Sequence, residues 1–101
     1  IDVGISGPIA RRVGESMRGL ASYHQIIAIT HLPQIASLGD VHFSVEKQIA
    51  DGRTKTRIHK LDEAERAEAV AQLLAGTDLT EAALRSAREL IDKGREIERD
   101  A

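Results

Sequence analysis

The sequence of 101 residues contains no cysteine and no tryptophan, and aromatic residues make up only 2% of it. Without cysteine, disulfide bonds, thiol catalysis and cysteine-ligated zinc are excluded. Without aromatic bulk, the core has to be built from isoleucine, leucine, valine and alanine. There is also no long apolar run and no signal peptide, so we expect a cytoplasmic protein.

Charge of one sign does not dominate the chain, because its formal net charge is only −2. A free-standing nucleic-acid-binding protein is therefore not indicated. The sequence has no GxxxxGK[ST] motif, so it lacks a phosphate-binding loop of the P-loop type. It starts at Ile1 without a methionine and enters a glycine-rich loop at once, so we expect it to be part of something longer, and at most one domain.

The most informative stretch is the short apolar run from Gln25 to Thr30. Ile26 to Ile29 are consecutive apolar residues, with no polar residue between them. A strand that is apolar on both faces is normally buried between helices in a parallel sheet, and the β-branched residues favour a strand over a buried helix. We therefore predict a buried strand with His31 just past its carboxyl end, where open α/β sheets bind their ligands.

The residues before this run predict a loop and then a helix. The segment Ile1 to Gly7 contains two glycines, and Pro8 suits the first turn of a helix. Gly14 inside the helix costs roughly 1 kcal/mol relative to alanine, which indicates that another element packs closely there. Because a helix that precedes a buried strand serves as a crossover, a parallel partner strand is expected before the loop. Charged residues such as Arg18 lie off the predicted inward stripe, which consists of Ile9, Val13, Met17 and Leu20.

A short helix and a β-hairpin are predicted after the apolar run. Pro33 to Leu38 forms the short helix, with Gly39 as its C-terminal cap. Two alternating runs follow, Val41 to Gln48 and Thr54 to Lys60, and an Asp-Gly pair lies between them. Asp-Gly between alternating runs is a strong hairpin signal.

Two helices complete the chain. Asp62 and Glu65 resemble a capping box, which opens a helix that ends at Gly76. The last helix begins near Glu81 after a capped break. The residues predicted to face inward are Ala67, Val70, Ala71 and Leu74 in the first of these helices, and Leu84, Ala87 and Ile91 in the second.

Two histidines lie in the predicted hairpin. His42 and His59 are expected to be solvated strand residues, because neither has a carboxylate or histidine partner at a convincing spacing. No metal site is predicted from them.

Two motifs in combination resemble a known family. The segment IDVGISG directly before a helix, and THLPQ at the end of a strand, are similar to the C-terminal lobe of an ABC-type ATPase head. In that superfamily a strand ends in the Walker B acidic pair, the D-loop follows, and the next strand ends in the switch histidine. The sequences of the two motifs most resemble those of the RecN-type DNA repair ATPases, which are bacterial relatives of the SMC proteins. The likeness continues through VEKQIADGRTKTRIHKLDEAER and ALRSAREL, so it covers essentially the whole chain.

The resemblance implies a fold class and a set of site residues. The fold class is α/β, the C-terminal lobe of a P-loop ABC/SMC-like ATPase head, with parallel strands, a crossover helix, a β-hairpin and C-terminal helices. Residues 1–101 would be part of a head domain that is incomplete without an N-terminal lobe. His31 matches the switch histidine, which approaches the γ-phosphate and the attacking water. The matching D-loop, which crosses the dimer interface and has Ser6 where most ABC-type ATPases have aspartate, comprises Asp2, Val3, Gly4, Ile5 and Ser6.

The function that this resemblance implies is ATP hydrolysis in the recombinational repair of DNA double-strand breaks. ATP and Mg²⁺ would bind to the complete head, with ATP sandwiched between two heads, and neither would bind to this fragment alone. The implied partners are the N-terminal lobe of the same protein, a second head in a homodimer, and DNA through the full-length protein, but no membrane. The implied location is the bacterial cytoplasm, in association with the nucleoid.

Two other functions fit the residues themselves. In a non-catalytic α/β interaction module, His31 would cap a turn and the helices would bind a partner protein. In a small hydrolase, His31 would act as a base, but Ser6, Asp2 and Asp40 are candidates for its partner only by chain proximity. An upstream sequence with a Walker A loop, a long heptad region and an acidic pair would distinguish the ATPase from both.

Overall fold

The computed structural model describes residues 7–76 and 78–100, with side chains described as far as residue 96. The chain mixes helix and strand, as predicted, and the sheet found in those ranges has two strands. No helix in the same ranges is long and apolar enough to cross a membrane. The elements in chain order are α1 (Gly7–Leu20), α2 (Pro33–Ala36), β1 (Phe43–Ala50), β2 (Arg53–Lys60), α3 (Glu63–Ala75) and α4 (Glu81–Asp100).

The hydrophobic core lies between α3 and α4. Both helices are rich in alanine, glutamate and leucine, which have high helix propensity. Alanine predominates among the buried residues, so the two backbones approach closely around a small core. Most of the predicted inward residues are confirmed, although Leu74 is exposed and Leu84 is half-buried. The core cluster consists of Ala67, Val70, Ala71, Ala83, Ala87 and Ile91.

Side chains and glycine cap these two helices as the sequence predicts. Asp62 Oδ1 accepts the Glu65 backbone N–H at 2.8 Å, and Glu65 Oε1 accepts the Asp62 backbone N–H at 3.1 Å, which completes the capping box. Gly76 ends α3 with a φ of 80°, a conformation that favours glycine. Thr80 Oγ1 accepts the Ala83 backbone N–H at 3.0 Å and caps α4.

The buried face of α1 differs from the predicted one. Ile9 and Leu20 are more than half exposed, whereas Ala10, Gly14 and Arg18 are buried. The reason is steric, because the segment after α2 packs against the side of α1 that has the least side chain. A Cβ atom at Gly14 would lie 2.5 Å from Leu38 Cδ1, so the predicted close approach at this glycine is confirmed.

The predicted buried strand from Gln25 to Thr30 is wrong for the described structure. These residues have no regular secondary structure, and the side chains of Ile27 and Ile29 are 85% and 89% exposed. A strand requires a neighbour that accepts and donates its backbone hydrogen bonds. Within the described ranges, β1 and β2 pair only with each other, so the predicted parallel sheet and the crossover role of α1 are absent there.

The predicted hairpin is confirmed, with shifted strand ends. β1 and β2 are antiparallel, and their register runs from Phe43 opposite Lys60 to Ala50 opposite Arg53. Asp51 and Gly52 have φ values of 53° and 71°, the two positive values that a type I′ turn requires. Nearly all hairpin residues are exposed, so the hairpin extends from the helices and is not packed between them.

We predict that Gly14→Ala destabilises the chain although alanine is the better helix former. The added Cβ has to displace Leu38 and also lies 3.4 Å from the Gln34 carbonyl oxygen. Overpacking of this kind costs about 1–3 kcal/mol, against about 1 kcal/mol gained in helix propensity. The free energy of unfolding, from chemical denaturation followed by circular dichroism, measures the difference.

Gly19→Ala is the matched control for this prediction. Gly19 lies in the same helix, and no atom outside its immediate surroundings in the helix lies within 4 Å of the position that an added Cβ would occupy. This variant should therefore be stabilised by about 0.5–1 kcal/mol. If Gly14→Ala is stabilised to the same extent, the close contact between α1 and Leu38 does not limit the packing.

Candidate functional site

His31 lies in a turn that leads directly into α2. Thr30 Oγ1 accepts the backbone N–H of Leu32 at 3.0 Å, so the threonine hydroxyl closes the turn around His31. Leu32 is the N-cap residue of α2 and Pro33 is its first helical residue. The His31 side chain is exposed, which leaves its ring accessible from solvent.

Two buried arginines hold the loop that follows α2. Arg18 of α1 donates from Nη1 to the Leu38 carbonyl, and its Nη2 lies 3.3 Å from Asp40 Oδ1. Arg66 of α3 donates from Nη2 to the carbonyl of Ser37 at 3.0 Å and to the carbonyl of Gly39. We call Arg18 and Arg66 the arginine clamp.

The arginine clamp replaces the glycine cap that the sequence predicted. Gly39 does not adopt a positive φ, so it does not cap α2 in the left-handed conformation. Carbonyls at the C-terminal end of a helix lack intrahelical donors and carry partial negative charge. The guanidinium groups satisfy these carbonyls, and they fix the His31–α2 segment between α1 and α3.

Within the clamp, Arg66 is a buried charge whose pKa is shifted by its surroundings. Burial, the largest cause, lowers the pKa of Arg66, while the Glu63 carboxylate acts in the opposite direction. A guanidinium nevertheless remains protonated in proteins, so Arg66 keeps its charge and its full set of donors. The exposed Glu63 forms an ion pair with Arg95 of α4 at 2.5 Å, and this hydrogen bond is the main cause that lowers the pKa of Glu63.

The structure brings the His31 segment next to the start of α1. Gln34 in α2 is half-buried, and its Nε2 lies 3.3 Å from the position that a Cβ atom on Gly7 would occupy. Gly7 directly follows the predicted D-loop. The predicted D-loop consists of Asp2, Val3, Gly4, Ile5 and Ser6. All five lie outside the described residues.

The two hairpin histidines are less simple than predicted. His42 precedes β1 and is half-buried, and within the described structure its Nδ1 has no hydrogen-bond partner. Burial, and then the nearby Arg66, lowers the pKa of His42 from its ordinary value of 6.5. His59 is exposed, but its Nε2 lies 3.0 Å from Glu65 Oε2, so it does have a carboxylate partner. The described residues contain no group of three metal-ligating side chains around either of them.

Sequence reasoning missed the arginine clamp. Arg18 was assigned to the exposed side of α1 because its charge favours solvent, yet it lies four residues after Gly14 on the buried face. Arg66 lies four residues before Val70, so it shares the inward stripe of α3. In both helices, the arginine lies four residues from a buried glycine or valine, and this spacing was the signal that could have indicated a buried arginine.

The chain is similar to bacterial proteins named DNA repair protein RecN. It is 46% identical to the Haemophilus influenzae protein over an aligned segment of 92 residues. This segment covers 91% of the present chain and 16% of the relative. It is 44% identical over 91 residues to the Rickettsia conorii protein and 33% identical over 97 residues to the Bacillus subtilis protein. The resemblance to RecN-type proteins is thus confirmed, and the chain spans 16–17% of the length of these curated relatives. No protein-family model matches the chain.

We predict that Arg66→Met destabilises the chain by about 2–3 kcal/mol. Methionine keeps most of the aliphatic volume, but it leaves the carbonyls of Ser37 and Gly39 without their donor. A buried acceptor without a partner costs about 1–3 kcal/mol. Denaturant unfolding measures the loss, and Arg66→Lys should be intermediate because it keeps the charge but not the fork of donors.

Arg95→Met is the control for the clamp. It removes an arginine from an exposed ion pair, which contributes little to stability. Equal stability losses in Arg66→Met and Arg95→Met would contradict the assignment of Arg66 as a buried clamp.

We also predict that His42 makes stability depend on pH near neutrality. Because the pKa of His42 is lower in the folded chain than in the unfolded chain, the unfolded state binds the proton more readily. This contribution is fully present above about pH 6.5 and is lost as the pH falls through the lowered pKa of the folded state. Between about pH 7.5 and about pH 5.5, the free energy of unfolding should therefore fall less for His42→Gln than for the parent.

Two carboxylates do not interfere with this measurement. The pKa values of Glu63 and Glu65 are lowered from 4.5, so their own effects occur in more acidic solution. An identical pH dependence in the parent and His42→Gln would show that His42 is solvated in the folded chain.

Proposed function

We propose that this chain is the C-terminal lobe of an SMC-like ATPase head that acts in recombinational repair of DNA double-strand breaks. The full-length protein would hydrolyse ATP at an interface between two heads. In that reaction His31 would act as the switch histidine, and residues 2–6 would supply the D-loop that crosses the interface. The fold proposed for the complete head is that of the P-loop ABC/SMC-like ATPases, and an N-terminal lobe would complete it.

The observation that carries this proposal is the similarity to DNA repair protein RecN over about nine tenths of the chain. The name of these relatives states a role in DNA repair, and the match includes His31 within its span of more than 90 residues. Conversely, the chain covers about one sixth of each relative, so the activity proposed here belongs to a longer protein.

The local geometry of His31 supports its role. An exposed imidazole in a turn closed by Thr30, followed by a clamped helix, is accessible and also fixed at its C-terminal side. A side chain that orients an attacking water has to be held in position before the substrate binds. In the proposed reaction, His31 contacts the γ-phosphate and orients the water, while the nucleotide is bound mainly by other parts of the protein.

The described residues contain no group of three side chains that could hold a metal ion, and the sequence has no P-loop motif. Mg²⁺ bound with a nucleotide is typically held by one or two carboxylates together with the phosphates and water. In the proposed reaction, Mg²⁺ would enter the complete head together with ATP.

We predict that His31→Ala in the full-length protein slows ATP hydrolysis by about 10²–10⁴-fold. Nucleotide binding should remain nearly unchanged, because a group that acts mainly on the reacting phosphate lowers kcat more than it weakens binding. Steady-state hydrolysis and equilibrium nucleotide titration measure the two effects separately.

His59→Ala is the matched control, since it removes another exposed histidine, from the hairpin. It should hydrolyse ATP at the parental rate. If His31→Ala also hydrolyses at the parental rate, His31 is a structural turn residue and the chain is better described as a non-catalytic interaction module. Equal losses of binding and turnover would indicate damage to the fold.

A further inference from the structure

The β-hairpin differs in charge from the rest of the chain. From Phe43 to Lys60 it contains five lysine or arginine residues and two carboxylates, which gives a charge of +3. Because the whole chain has a net charge of −2, the remaining residues carry −5. The hairpin is therefore a basic element in an otherwise acidic chain.

Three of the hairpin cations lie on one face. Arg53, Lys55 and Arg57 alternate along β2, so their side chains point to the same side of the ribbon and form a row about 13 Å long. All three are exposed. We call these three residues the basic face. The opposite side of the ribbon carries four apolar residues, Phe43, Val45, Ile49 and Ile58, and the two remaining hairpin cations, Lys47 and Lys60, which are separated from each other and do not form a row.

Among the described residues, the cations of the basic face form no hydrogen bond or ion pair through their side chains. Glu46 is the one carboxylate on this side of the ribbon, and it lies opposite Arg57 without forming an ion pair among the described residues. Four other arginines are bound to carboxylates or carbonyls of the chain itself, namely Arg11, Arg18, Arg66 and Arg95.

We propose that the basic face binds the phosphate backbone of duplex DNA. Arginine and lysine bind phosphate oxygens through charge-assisted hydrogen bonds, and each contact releases counterions from the DNA. A row of exposed cations without internal partners can make these contacts without first breaking an ion pair. The choice of DNA as the polyanion rests on the proposed function, and the location of the contact rests on the hairpin itself.

The composition of this side of the ribbon favours duplex over single-stranded DNA. Proteins that bind single strands stack the unpaired bases on aromatic side chains. This side has no phenylalanine, tyrosine or tryptophan, and its one imidazole, His59, is bound to Glu65. Contacts to the backbone alone fix the position of a protein on DNA but do not read its sequence, so binding at the basic face is independent of sequence.

The test uses the full-length protein without nucleotide and a short fluorescent duplex of arbitrary sequence. In the variant R53Q/K55Q/R57Q, duplex affinity at about 0.1 M salt should fall about tenfold or more. The slope of log Kobs against log[salt] should decrease by about 2–3, because each lost phosphate contact contributes about 0.9. Fluorescence anisotropy across a salt series gives both quantities.

The matched control removes three exposed cations from α4, in the variant R85Q/R88Q/K93Q. On that helix the cations are interspersed with Glu81, Glu89 and Asp92, so no row of one sign is present. This variant has the same change in net charge, and its affinity and salt slope should equal those of the parent. A second variant, R53K/K55R/R57K, keeps the charges of the basic face and should keep duplex binding.

Several outcomes overturn the proposal. Parental affinity and slope in R53Q/K55Q/R57Q would do so, as would equal losses in the α4 variant, since net charge alone would then explain binding. A loss confined to single-stranded DNA would assign the face to a different ligand. If circular dichroism shows that the triple variant does not fold, the salt slopes are measured for the single variants R53Q, K55Q and R57Q. Unchanged slopes in all three would refute the contact.

This test is independent of the proposed ATPase role. Binding is measured without nucleotide, so it does not depend on hydrolysis. Loss of duplex binding in the hairpin variant together with parental hydrolysis in His31→Ala would support the DNA contact and refute the catalytic role of His31. Parental duplex binding in the hairpin variant, together with slowed hydrolysis in His31→Ala, would refute the DNA contact and support the catalytic role of His31.

Discussion

The described structure depends on two buried guanidinium groups that hold one short loop. Arg18 comes from α1 and Arg66 from α3, and together they bind the carbonyls of Ser37, Leu38 and Gly39. Hydrogen bonds to charged groups contribute about 1.5–3 kcal/mol, more than neutral ones. The same contacts connect α1, α2 and α3, which share little hydrophobic core. Polar contacts therefore fix the helices where small side chains provide little buried apolar area.

Leu38 shows how packing and hydrogen bonding coincide at this loop. Its side chain lies between two glycines, Gly14 of α1 and Gly94 of α4, and a Cβ atom at Gly94 would lie 2.8 Å from Leu38 Cδ2. Its carbonyl accepts a hydrogen bond from Arg18. The glycines give up helix propensity at these positions, and in exchange both helices approach the loop closely. The arginine and the two glycines thus act on the same residue, one through its backbone and the others through its side chain.

The sequence predicted the elements that depend on local chemistry and missed those that depend on a distant partner. The Asp-Gly turn of the hairpin and the capping box at Asp62 are determined by residues within a few positions, and both were predicted. The strand from Gln25 to Thr30 was predicted wrongly, because its apolar pattern indicates burial but cannot supply the neighbour that a strand requires. Arg18 was placed on the exposed face for a related reason, since its acceptor is 20 residues away.

The position of His31 was predicted by a route that the structure does not support. The expected support was the end of a buried strand, yet the residues before His31 are irregular and exposed. The segment is instead fixed by the Thr30–Leu32 hydrogen bond that closes the turn around His31 and, on its C-terminal side, by the arginine clamp. For the candidate site, the role of His31 therefore stays a prediction, and the sequence missed the arginines that hold the loop after α2.

Net charge misled in a similar way, because it averages over elements that are separate in space. A value of −2 argued against a free-standing nucleic-acid-binding protein, although the hairpin alone carries +3. The register of β1 and β2 places the row of Arg53, Lys55 and Arg57 on one face of the ribbon, and this arrangement follows from strand alternation once the turn at Asp51-Gly52 is fixed. Because the hairpin contributes nothing to the α3–α4 core, the charge of its basic face is not constrained by the packing of the helices. Its composition is therefore compatible with the contact to DNA that we propose for it.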